Sequence, residues 1–161
     1  MSQFYNDGAE VIVQNGCFVH IQGDFINQGG VVTNEGRIEL GGNWTNTVPS
    51  NPLSQGTGNV VLLGDDQAIG GDFNTLFNQL QFSNTQNVTL NATIGISDQI
   101  DLADGTLFLN RNTLHLLSPS NEAILTNTGT IVAETADEYG YVRWDVEENV
   151  NGEYNLSLIH I

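Results

Sequence analysis

The sequence predicts an all-β chain wound as a right-handed parallel β-helix (β-solenoid), with three short strands in each rung of about 19–20 residues. Three observations predict it. First, "VHIQGDFIN" (Val19 to Asn27) is restated nineteen residues later as "IELGGNWTN" (Ile38 to Asn46), and the same shift lays Val13 on Val32, Asn15 on Asn34, Gly23 on Gly42 and Phe25 on Trp44. Second, the later chain is a series of apolar doublets with one residue between: Leu80/Phe82, Val88/Leu90, Ile94/Ile96, Ile100/Leu102, Leu107/Leu109 and Leu114/Leu116. Such alternation marks very short strands with one face in and one out. The doublets begin 8, 6, 6, 7 and 7 residues apart, so every third one returns after 19 or 20 residues, the period of the opening repeat. Third, twenty asparagines and eighteen glycines crowd the intervals ("NQGG", "TNEG", "ADG", "NRN", "TNTG"), and both residue types accept the left-handed backbone of tight corners. Two measures of period that agree describe stacked coils.

Taken along the chain, residues 1–133 read as the solenoid. Seven or so rungs at about 4.8 Å each make a rod on the order of 35 Å long. "TVPSNPLSQGTG" (Thr47 to Gly58), with two prolines, reads as an excursion from a corner, and "GGDFNTLFNQ" as a shorter one. Helix is nearly absent: "EAILTNTG" is the best candidate and is short. Residues 134–155 change character. Val142, Trp144 and Val146 alternate, and Asn151-Gly152 offers a tight turn, which predicts a capping hairpin or the start of a next module. The tail 156–161, "LSLIHI", resembles the translated read-through of a sequencing adapter; on that reading the natural sequence stops near Asn155, and deleting the tail lowers self-association without loss of β content. The expected inward set is Val11, Val13, Cys17, Val19, Ile21, Ile38, Leu40, Ile94, Ile96, Ile100, Leu102, Leu107, Leu109, Leu114 and Leu116, with Arg37, Glu39, Asp101, Phe108 and His115 outward. In-register asparagines, Asn27 over Asn46 and Asn15 over Asn34, are expected to form amide ladders.

Nineteen acids against three arginines (Arg37, Arg111, Arg143) and no lysine give a formal charge of −16. A surface of that sign repels phosphates, which argues against nucleic acid and anionic membranes as partners. An apolar content of 39% suffices for a buried core. No apolar run reaches the roughly 18 residues of a membrane span, and "MSQFYNDGAE" is not a signal peptide. The lone Cys17 excludes an intramolecular disulfide and a cysteine-based zinc site, and its phase with Val19 and Ile21 predicts a small buried hydrophobe.

The phrases "FYNDGAEVIVQNGCFVHIQGDFIN", "NEGRIELGGNWTN", "GTGNVVLLGDDQAIGG" and "YGYVRWDV" resemble the repetitive β-helical region of large secreted or cell-surface, adhesin-like proteins of Gram-negative bacteria that use type IX secretion. The resemblance covers most of residues 3–155. It implies an extracellular or outer-surface location, a larger parent polypeptide, and no catalytic residues to transfer.

The acids are the candidates for chemistry. Glycoside hydrolysis needs two carboxylates about 5–9.5 Å apart on one face. Asp65-Asp66 follows a doublet, and Asp98, Asp101 and Asp104 stand three residues apart, which in a strand is not one face. Arg111 is the nearest basic residue. "DLADG" (Asp101 to Gly105) sets two carboxylates around a corner, short of the six or more oxygens calcium needs. His20 falls one period before Glu39 and is expected to form a stacked surface pair with it, and His115 points outward. Asn43, Asn87 and Asn91 head glycosylation sequons, which an Asn- and Thr-rich chain generates freely. No catalytic, cofactor or metal residue is assigned and no cofactor is expected. The expected function is a non-catalytic structural or adhesion module, a stiff spacer or adhesive surface, with extracellular glycans or other surface proteins as partners. The alternatives are a carbohydrate-active lyase or hydrolase on the same fold and a calcium-dependent glycan binder.

Overall fold

The computed structural model describes residues 2–49, 53–54, 56–83, 87–103, 105–125, 128–146 and 159–160. The chain is all-β, with no helix among them. Its strands are β1 (Gln3–Val13), β2 (Phe18–Ile21), β3 (Asp24–Asn34), β4 (Arg37–Leu40), β5 (Trp44–Asn46), β6 (Leu53–Ser54), β7 (Asn59–Leu62), β8 (Asp66–Gly71), β9 (Thr75–Phe82), β10 (Asn87–Leu90), β11 (Ile94–Asp101), β12 (Thr106–Phe108), β13 (Thr113–Leu116), β14 (Ile124–Leu125), β15 (Thr130–Val132), β16 (Tyr141–Trp144) and β17 (Ile159–His160). Every ladder between them is parallel. Three columns run along the rod. Face one stacks the first half of β1 and of β3 on β5, β8, β10, β12, β15 and β17. Face two stacks the second half of β1 and of β3 on β6, then the first half of β9 and of β11 on β13 and β16. Face three stacks β2, β4, β7, the second half of β9 and of β11, and β14. Strands of face one open at Gln3, Asp24, Trp44, Asp66, Asn87, Thr106 and Thr130, which makes about six turns, and β17 at Ile159 returns to the same face.

The period holds where the doublets predict it: Phe25 lies beside Trp44, Val88 beside Leu107, Leu80 beside Ile100 and Ile94 beside Leu114. It widens at Trp44↔Ile69, the turn that contains the proline-rich excursion. That excursion is shallow, since Leu53–Ser54 still pair with Val32 and Thr33. "GGDFNTLFNQ" is not an excursion. Only Asp72 to Asn74 leave the ladder between β8 and β9, because Leu76 and Phe77 keep register with Gly95 and Ile96. The first rung also departs from the nineteen-residue shift. A bulge at Asp7 to Glu10 puts Val11, not Val13, beside Val32 and puts Val13 beside Asn34. Asn15 therefore does not lie under Asn34.

Alternation delivers the core. Val13, Ile21, Ile38, Leu40, Ile94, Ile96, Ile100, Leu102, Leu107, Leu109, Leu114 and Leu116 are buried, while Val11 and Val19 pack partly buried against them at the first rung. Cys17 is the exception and is exposed. The turn Gln14–Cys17, closed by the Cys17 amide donating to the Gln14 carbonyl at 3.0 Å, precedes β2, so the strand phase that orients Val19 and Ile21 does not reach Cys17. At one end of the core the rings stack down the axis: Phe4 on Phe25 at 5.3 Å, Phe25 on Trp44 at 3.9 Å, and Trp44 edge-on to Phe77 at 5.2 Å. The Trp44 indole donates to the Thr75 hydroxyl at 3.2 Å, so its one polar atom is satisfied inside the rod.

The segment expected to open a hairpin begins with a strand of the solenoid. Tyr141–Trp144 lie parallel to Thr113–Leu116 and carry the solenoid past residue 133. An antiparallel bridge, Glu134↔Tyr139, closes the loop before them. The turn Asn151-Gly152 lies outside the described residues. Within the tail, Ile159–His160 pair in parallel with Ile131–Val132.

Buried asparagines line one corner in register, Asn6 beside Asn27 and Asn27 beside Asn46. They do not form an amide ladder. The Asn6 side chain exchanges two bonds with the backbone of Ala9, and Asn46 bonds Val48 twice and the Asn74 carbonyl once. These amides bond backbone, at their own corner and for Asn46 also on the next rung, in place of a neighbouring amide. Asn27, fully buried between them, has no hydrogen-bond partner for either amide atom among the described residues. Leaving a buried amide unmatched costs about 1–3 kcal/mol. Asn27→Leu is therefore expected to raise stability, and Asn46→Leu to lower it by about 1–3 kcal/mol because Val48 and Asn74 lose their partner. Urea melts of the two variants check this; a destabilised Asn27→Leu would show that the amide has a hidden partner.

Candidate functional site

Outward positions of the three faces repeat at each rung, so surface chemistry here is written in columns. On face three His20 sits beside Glu39, as the spacing predicts, with Nδ1 3.1 Å from Oε2, and Arg37 donates from Nε to Oε1 at 2.9 Å. These contacts hold the Glu39 carboxyl below its ordinary value of 4.5, the His20 hydrogen bond first and Arg37 after it, against the opposing effect of partial desolvation. A carboxyl lowered in the folded state contributes stability above its unfolded pKa and loses it as pH falls through the folded one. The Glu39 carboxyl resonance is expected to titrate below 4.5 in the folded chain, and to move up in both His20→Ala and Arg37→Ala. An unshifted midpoint would mean the triad is not formed in solution.

Face two repeats the device. His115 Nε2 lies 2.7 Å from Asp145 Oδ2, and Arg143 Nε lies 3.1 Å from Oδ1. The histidine contact, then Arg143, lowers the Asp145 pKa. Arg111 pairs with Glu138 at 3.4 Å.

The remaining candidate acids face amides or backbone amide groups. Asp66 accepts from Asn87 at 2.8 Å, Asp98 from Gln79 at 2.7 Å, Asp101 from Gln81 at 3.2 Å, and Asp24 from the Asn43 backbone amide at 2.7 Å. No two carboxylates stand opposite each other in the described ladders. Asp65 is exposed beside Asp66, and Asp104 lies outside the described residues. Asp101 also accepts from the Ala103 amide at 3.0 Å, so its corner is closed by the backbone. No cluster of three or more metal-ligating side chains occurs among the described residues. The sequon asparagines are engaged too: Asn43 accepts from the Ala68 amide, Asn87 donates to Asp66, and Asn91 accepts from Asn110.

What sequence reasoning missed is a cleft of about 450 Å³ on face two, lined in part by Asp72, Phe73, Asn74, Gly95, His115 and Leu117. Gly95, the outward residue of β11 in this column, lines it without a side chain; a Cβ there would come within 2.8 Å of the Leu76 side chain and 3.3 Å of Leu117. The signal was present in "IGI", a glycine at an outward strand position, which marks a close approach. Comparison of the chain with protein-family models, with curated proteins and with solved structures finds no match.

Proposed function

We propose that this chain is a non-catalytic structural module of a secreted or cell-surface protein, a stiff spacer whose polar faces present an adhesive surface. The observation that carries this reading is the way the outward acids are used. His20 on Glu39, Gln79 on Asp98, Gln81 on Asp101, Asn87 on Asp66, and Thr57 on Glu35 are all contacts between one rung and the next. Side chains that tie rungs together stiffen a rod. Catalytic carboxylates instead need free lone pairs converging on a substrate. Continuous parallel ladders on faces one and three add to the stiffness, since bending the rod must open backbone bonds on one side. The quoted likeness to repetitive regions of Gram-negative surface proteins that use type IX secretion supports an extracellular setting and a larger parent chain, with glycans or other surface proteins as partners.

Sugar release from a panel of neutral and acidic polysaccharides, measured together with retention of the same polymers on immobilised protein, tests the reading. No turnover is expected at any protein concentration. Release that scales with protein and is abolished by Asp98→Asn or Asp101→Asn would make the fold a carbohydrate-active enzyme instead.

A further inference from the structure

We infer that the face-two cleft over Gly95 receives the side chain of an arginine or lysine from an extended basic segment of a partner protein, with the Asp72 carboxylate as its anchor. The cleft crosses several rungs, from Pro49 past Asp72–Asn74 and Gly95 to His115 and Leu117. At about 4.8 Å per rung that is roughly 14 Å along the rod, the reach of about four extended residues. Its walls are mixed. Phe73 (39% exposed) and Leu117 (38% exposed) offer apolar surface beside the exposed Asp72 and Asn74. A long cationic side chain has the matching composition, an apolar stem and a charged head, and an aromatic ring beside the head attracts it further.

Charge complementarity favours a cation over a neutral occupant. The chain carries −16 and only three arginines, each already paired with a carboxylate: Arg37 with Glu39, Arg111 with Glu138, Arg143 with Asp145. Asp72 pairs with no cation among the described residues, in contrast to Glu39, Glu138 and Asp145. The field of the whole rod draws basic segments toward it, and the cleft is where that attraction meets apolar surface, so that a stem and a head are both accommodated. Asp98, by contrast, is bonded to Gln79 and stands outside the cleft.

The test uses the whole chain and a capped tetra-arginine peptide, with a capped tetra-lysine peptide and a neutral cello-oligosaccharide as comparisons, read by calorimetry and by amide chemical shifts at Gly95 and Asn74. Both basic peptides are expected to bind, with shifts confined to the cleft, and Asp72→Asn is expected to weaken binding at least tenfold while Asp98→Asn changes it less than twofold. Phe73→Ala should weaken it severalfold, and binding should fall as salt rises. Equal loss in Asp72→Asn and Asp98→Asn would overturn the site in favour of diffuse attraction. Salt-insensitive binding of the oligosaccharide in place of the peptides would make the cleft a glycan subsite, and no binding of any probe would remove it. None of these outcomes bears on turnover, so the structural reading stands or falls separately.

Discussion

Leu109→Asp is expected to unfold the C-terminal half of the rod. Leu109 is fully buried, its amide donates to the Val132 carbonyl at 3.0 Å, and its carbonyl accepts from the Asn112 amide at 2.8 Å, so the side chain is held inward at the corner after β12. An aspartate placed there buries a carboxylate with no partner, at a cost of several kcal/mol, against a total stability on the order of 5–15 kcal/mol. Because each rung touches only its neighbours, the loss should spread from this point. Amide exchange should accelerate first in β10 to β16, while the Phe4–Phe25–Trp44–Phe77 end keeps more protection. The adjacent Phe108→Asp, at a half-buried outward position, should cost far less. If Phe108→Asp unfolds the chain and Leu109→Asp melts normally, the register is inverted.

Trp44→Ala should be nearly as severe, about 3–5 kcal/mol by the precedent of large aromatic truncations in cores. Trp44 is the largest fully buried side chain, and it joins two faces: it stacks on Phe25 of face one and meets Phe77 of face two edge-on. Removing it leaves a cavity between rungs and strips the Thr75 hydroxyl of its donor. Trp44→Phe keeps a ring over Phe25 and loses the indole bond, so it should cost less, about 1–3 kcal/mol. Guanidinium melts of the two variants separate the contributions. Equal destabilisation would assign the effect to the hydrogen bond and not to packing.

The sequence by itself determined the fold class, the three-strand rung and most of the core, because a side-chain period of two and a rung period of about 19–20 residues are both written in residue order. It also determined the His20–Glu39 pair, since one period is one rung and stacked residues must meet. Only the tertiary structure decided the rest. Which rung stretches depends on bulges and corner lengths, so Val11, not Val13, came to lie beside Val32, and Tyr141–Trp144 joined the solenoid by skipping a long loop. Phase within a strand does not carry through a turn, and Cys17 is exposed for that reason. Asparagines in register were legible, but whether their amides bond one another or the backbone is a competition between neighbours in space, and the backbone prevailed at Asn6 and Asn46. The glycine of "IGI" could be read from the sequence, but the cleft could not, because Asp72–Asn74, Gly95, His115 and Leu117 lie some twenty residues apart in sequence and share a surface only once the rungs are stacked.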